Sequence, residues 1–173
     1  MVDVYIFGER HSNEKHGREQ ARFILKKKPG YVLLEGLGEE LKADLSLIRE
    51  MVGQASEYVG ATVGGCDPTM PYQLKGVKQI SDKHKLKGLP PYTAIKIDGR
   101  YITEEKKEEK MGIAISAYAK SRTNDKPIVA IVGALHARKG SVLLKTLDSE
   151  GVSYKVMMQE KSKKYRSYLH SGN

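Results

Sequence analysis

The sequence predicts an α/β fold: a single domain with a mostly parallel sheet of about five strands and helices on both faces. Two patterns predict it. Short apolar runs rich in β-branched residues recur along the chain, each ending at a polar or glycine turn, and amphipathic stretches with helical spacing lie between them. Strands that alternate with helices are joined by crossovers, which set neighbouring strands parallel and lay the helices over the sheet.

Val2 to Phe7 reads as the first buried strand. Ser12 or Asn13 then offers a side-chain oxygen as a helix cap, Glu14 suits the positive first turn, and Ala21, Ile24 and Leu25 supply an inner stripe before Pro29-Gly30 stops the helix. Tyr31 to Leu34 is the second strand. From about Glu39 to Tyr58, Leu41, Leu45, Ile48 and Val52 fall on one helical face. The stretch from Gly60 to Tyr92 breaks the rhythm with Gly64-Gly65 and four prolines. It reads as a loop, a short helix from Tyr72 to His84 and another loop, and is the candidate lid. Thr93 to Ile97 is expected as the third strand of the sheet. Thr103 caps a helix with Met111, Ile115 and Tyr118 inside, Ile128 to Val132 is the most apolar strand, Ser141 to Leu147 is a helix, and Val152 to Met157 is the last strand. Residues 1–160 make one domain, and 161–173 a basic, loosely held tail.

Composition narrows the function classes. The 173 residues carry 30 Lys and Arg against 21 Asp and Glu, a net charge of +9, but the lysines are scattered rather than gathered on one arm, which speaks against a dedicated nucleic-acid face. The single Cys66 excludes an internal disulfide framework and a clustered-thiolate zinc site within one chain. No stretch approaches the ~20 apolar residues of a membrane span, and the start lacks a signal-like pattern, so a soluble cytoplasmic chain is expected. No glycine-rich nucleotide-binding loop is present. His16 and His84 are expected at the surface, and His170 in the tail.

In open α/β sheets, ligands sit beyond the carboxyl ends of the strands, so polar residues just after a strand carry the information. Three strand ends stand out. Gly8-Glu9-Arg10-His11 follows the first strand; if extended, Glu9 and His11 share one side of the chain, about 6.6 Å apart. Glu35 ends Leu33-Leu34-Glu35-Gly36. His136 ends Val132-Gly133-Ala134-Leu135-His136, repeating the Gly-x-x-His spacing of Gly8 and His11. Glycine permits close approach, while imidazole and carboxylate bind a borderline divalent cation or move protons near neutral pH. Two histidines with Glu9 or Glu35 make a nitrogen-oxygen site; without metal, the same set makes a histidine base oriented by a carboxylate.

This ordered set resembles the superfamily of erythromycin esterase-like, ChaN-like haem-binding, TraB/PrgY and Tiki proteins. The resemblance implies that Glu9, His11, Glu35 and His136 occupy the site, with an acidic residue after the third strand, at Asp98, and Lys107 where the family tends to have arginine. It implies ester or peptide hydrolysis with a divalent metal (Mn, Co or Zn) on His11, Glu35 and His136. Glu9 would orient His11 or act as base, and Arg10 and Arg138 would favour an anionic or carbonyl-rich substrate. Haem in the same pocket is the alternative the family suggests. Nucleic acid along the tail from Lys161 to Tyr168, which interleaves bases with tyrosines, is another reading.

Overall fold

The computed structural model of the chain describes residues 2–10, 13–35, 43–67, 94–97, 100–159 and 168–170. Strand β1 (Val4–Glu9) leads to helix α1 (Glu14–Lys27), strand β2 (Tyr31–Leu34), helix α2 (Ala43–Tyr58) and strand β3 (Thr62–Gly65). Strands β4 (Ala94–Ile97) and β5 (Arg100–Thr103) precede helix α3 (Glu104–Ser121) and strand β6 (Ile128–Gly133). Helix α4 (Val142–Ser149) and strands β7 (Tyr154–Met158) and β8 (Tyr168–His170) follow.

The main sheet runs β3-β2-β6-β1-β7-β8. Its first five strands are parallel, as the alternating pattern predicts; β8 pairs antiparallel with β7. The central strand β6 is buried along its whole length, because helices cover both of its faces and leave no polar side to the strand. On one face Ile24 of α1 with Val52 and Ala55 of α2 pack on Phe7, Val32, Leu34, Val129 and Ile131. On the other, Met111 and Ile115 of α3 with Leu143, Leu144 and Leu147 of α4 pack on Ile6, Leu33, Ala130, Val132 and Val156. Each Val, Leu, Ile, Phe or Met among these, fully buried, is worth about 1.5–3 kcal/mol relative to exposure.

Two helices begin at expected caps, Asn13 and Thr103, and a third is capped by Ser141, expected as its first residue. Asn13 accepts from the Lys15 amide, Thr103 from Lys106 and Ser141 from Leu144, each satisfying an amide that the helix leaves without a partner. Ile24 of the expected inner stripe of α1 is buried, together with His16, Gly17 and Gln20, whereas Leu25 is 42% exposed. The helix ends at Lys28, which takes a left-handed φ of 47°. No helix among the described residues is long and apolar enough to cross a membrane.

Other expectations are corrected. Thr62–Gly65, read as loop, is the third parallel strand, whereas Ala94–Ile97 lies outside the main sheet and pairs antiparallel with β5. Part of the tail is held: His170 in β8 stacks on Tyr154 with ring centroids 5.0 Å apart. The short helix expected over Tyr72 to His84, and most of the candidate lid, fall outside the described residues.

Helices α3 and α4 approach so closely that a Cβ on Gly112 would lie 2.7 Å from Thr146 Cβ and 2.9 Å from the Leu143 carbonyl oxygen. A backbone oxygen cannot swing aside, so Gly112→Ala is expected to cost about 1–3 kcal/mol despite alanine's better helix propensity. A urea midpoint that stays in place or rises would show that the helices can part without loss.

Candidate functional site

The chain leaves β1 toward α1 on one face of the sheet and leaves β6 toward α4 on the other. Such a divergence at the carboxyl ends of two adjacent strands is where open α/β sheets bind their ligands. Glu9 closes β1 and stands in register with Gly133, which closes β6. After Gly133 the chain turns tightly, with the His136 amide donating to the Gly133 carbonyl oxygen at 2.9 Å. Gly8 makes room for this turn: a Cβ there would come within 2.9 Å of Ala137 Cβ.

Glu35 follows β2 and extends its ladder, its amide donating to Ile131 O at 2.8 Å. Its side chain turns toward α3. Oε1 lies 2.9 Å from Lys107 Nζ and 3.1 Å from His136 Nε2, and Oε2 accepts from the Gly133 amide at 2.6 Å. Lys107 and Glu108 sit in the opening turns of α3 and are both buried. Lys107 Nζ also reaches Asp67 Oδ2 at 3.3 Å. Glu108 Oε1 is 3.1 Å from His136 Nδ1 and accepts from Arg138 at 3.2 Å, and its Oε2 accepts from the Val142 amide at the start of α4. Three carboxylates and three basic groups thus alternate through the network in the order Asp67, Lys107, Glu35, His136, Glu108, Arg138.

The electrostatics follow from these contacts. Burial alone would raise Glu35, but the hydrogen bond and charge of His136, the Lys107 ammonium and the Gly133 amide hold its carboxyl well below the usual range. Glu108 is lowered in the same way: burial opposes, and His136, the Val142 amide and Arg138 prevail. Burial would depress His136, yet its hydrogen bonds to Glu108 and Glu35 push it up to about 9, which makes it an imidazolium at neutral pH. Lys107 is raised too, by Glu35 and Asp67 against the desolvation of its ammonium. Cys66, fully buried beside this network, has its thiol pushed well up by burial and by the Glu35 and Asp67 charges, which disqualifies it as a nucleophile.

The predicted residues do not all converge. Glu35 and His136 meet directly. Glu9 points to the opposite face, where its Oε2 accepts from Gln20 of α1 at 2.5 Å. His11 lies outside the described residues, as does Asp98. The third parallel strand ends at Cys66-Asp67, so Asp67 takes the place expected of Asp98, and Asp98 instead follows a strand outside the sheet. Lys107, at the place where the resemblance puts an arginine and counted with Asp98, Arg10 and Arg138 among the substrate-side residues, is 7% exposed and engaged with Glu35 and Asp67. Arg138 is committed to Glu108 and the Leu135 carbonyl oxygen. Arg10 is exposed at the mouth of α1, and His16, expected on the surface, is buried with Nδ1 accepting the Arg10 amide at 3.2 Å. The sequence reading missed Asp67 and Glu108, both hidden in stretches read as loop or as solvated charge.

The expected metal does not fit these donors as they stand. Both nitrogens of His136 face carboxylate oxygens as donors, so the ring presents no lone pair, and the Lys107 ammonium already holds the cation's place beside Glu35. Among the described residues no three His, Cys, Asp or Glu side chains converge to hold an ion. The same double donation leaves His136 without a lone pair for haem iron.

No family model matches the chain, and none of the curated proteins does. Among solved structures, the chain is similar to RRSP, a MARTX toxin effector domain from Vibrio vulnificus CMCP6, at 15% identity and a TM-score of 0.48. The match covers 99% of this chain and 36% of that one.

Proposed function

We propose that the chain is a small hydrolase for ester or peptide bonds whose acid-base chemistry is carried by side chains at the carboxyl ends of β1, β2 and β6. The observation that carries this reading is the approach of Glu35 and His136 to 3.1 Å, with Lys107 on the same Glu35 oxygen. Two strand exits far apart in sequence thereby build one polarised site.

Glu9 and Glu35 flank Gly133 on either side. Adjacent strands are about 4.8 Å apart, so the two carboxylates stem from backbones roughly 10 Å apart with no side chain at Gly133 between them. Glu9 approaches this rim from the α1 side of the sheet, where Gln20 holds it, and His136 from the α3 side, so in this reading a water and the scissile carbonyl lie across the rim between them. Glu9 takes a proton from the water as its oxygen adds to the carbonyl carbon. The charge of the His136 imidazolium, whose two N–H groups stay on Glu35 and Glu108, favours the developing oxyanion, and Glu9 returns its proton to the departing alkoxide or amine. Glu35 and Glu108 keep the ring charged and fixed. They act as positioning residues.

The test is a screen of chelator-treated protein against activated esters and peptides. Activity should survive the chelator, and His136→Gln and Glu9→Gln should each lower kcat/KM by about a hundredfold. Activity that returns only with added Mn, Co or Zn, or that both variants retain, overturns the reading.

A further inference from the structure

A separate cavity of about 660 Å3 lies on the α1 face, between α1 and the end of β7. Clefts of ~300–1,000 Å3 are the size that holds small molecules. Neither Glu35 nor His136 lines it. Its lining is two-sided in chemistry. Phe7, Phe23 and Met157 supply apolar surface, the two phenylalanine rings meeting edge to face with centroids 5.1 Å apart. Arg10, Lys15 and Lys155 stand exposed around it, and none of them pairs with a carboxylate among the described residues.

Glu19 is the one acid among the described lining residues, and its Oε2 is already bound by Gln159 Nε2 at 2.9 Å. The same Gln159 accepts from Gln20 at 2.7 Å and donates to the His16 carbonyl oxygen at 3.1 Å, which ties the wall of the cavity to α1. The backbone of Arg10 is anchored by its bond to His16, so the guanidinium springs from a fixed point at the mouth. An anion drawn to Arg10, Lys15 and Lys155 would lay its body on the apolar floor they border.

We propose that this cavity binds a small amphipathic organic anion, with the carboxylate or phosphate head at Arg10, Lys15 and Lys155 and the apolar body on Phe7, Phe23 and Met157. Arginine's planar fork suits either head group, and the lysines add charge without direction. The inference stands apart from the hydrolase reading, because none of Glu9, Glu35, Glu108 and His136 lines the cavity.

The experiment is calorimetric titration of the full chain with dodecanoate, dodecyl phosphate and dodecyltrimethylammonium, each below its micelle concentration. One or both anions should bind one to one, and the cation at least tenfold more weakly; the stronger anion identifies the head group. Arg10→Gln with Lys155→Gln, both at exposed positions, should weaken anion binding at least tenfold with Tm unchanged, and His136→Gln should leave it intact. Equal binding of the cation, no binding of either anion, or a double variant that binds like the parent overturns the proposal.

Discussion

Lys107→Met is expected to lower the unfolding free energy by about 3–5 kcal/mol, the penalty for removing one partner from a buried ion pair. Lys107 and Glu35 are each less than a tenth exposed at their side chains, and Asp67 is fully covered, so water cannot replace the lost ammonium. Methionine fills much of the same volume, which isolates the charge from the packing. Glu35 would keep His136 and the Gly133 amide, whereas Asp67 would lose the cation that faces it. Adding Glu35→Gln or Asp67→Asn should each recover part of the loss, because each removes a carboxylate that the ammonium faced. Urea unfolding of the three proteins measures the coupling. A single-variant loss below about 1 kcal/mol would mean that these charges are screened like surface pairs.

The legible part of the molecule is what depends on hydrophobic pattern. β1, β2, β6 and β7 are apolar because helices cover them, so their runs could be read directly, and Glu35 and His136 became candidates by standing at their ends. β3 was hidden for a packing reason. Gly64 leaves little room for a side chain, since a Cβ would lie 3.1 Å from the Tyr118 hydroxyl and 3.3 Å from Leu33, and two glycines on a largely exposed strand read as loop. With β3 unseen, Asp67 could not be recognised as a strand-end acid. The β4–β5 pairing did leave a signal: Ile97 pairs with Arg100, and the two residues between them, Asp98-Gly99, are a favoured hairpin dipeptide. Glu108 was lost in Lys107-Glu108-Glu109-Lys110, where sequence alone does not say which charges turn inward. The direction of α3 against the sheet decides that, and it buries Lys107 and Glu108 while leaving Glu109 on the outer side.

The same network makes stability depend on pH in a way that His136 should dominate on the alkaline side. Its folded pKa of about 9 exceeds the ordinary 6.5, so the native protein holds this proton more tightly than the unfolded chain. The contribution is fully present below about pH 6.5 and disappears as pH rises through about 9; the gap corresponds to about 3 kcal/mol. Glu35 and Glu108 carry the opposite sign. Both are depressed, so their contribution is present above the ordinary 4.5 and fades as pH falls. These are the same hydrogen bonds viewed from two ends and do not add. Lys107, shifted upward, keeps its charge throughout the range in which His136 titrates. Urea unfolding at pH 6, 8 and 10 should then show the parent losing about 3 kcal/mol more than His136→Gln between the first and last points. Glutamine loses no proton there, so titration elsewhere in the chain is common to both and cancels. Parallel loss in the two proteins would mean that His136 is not held as an imidazolium between Glu35 and Glu108.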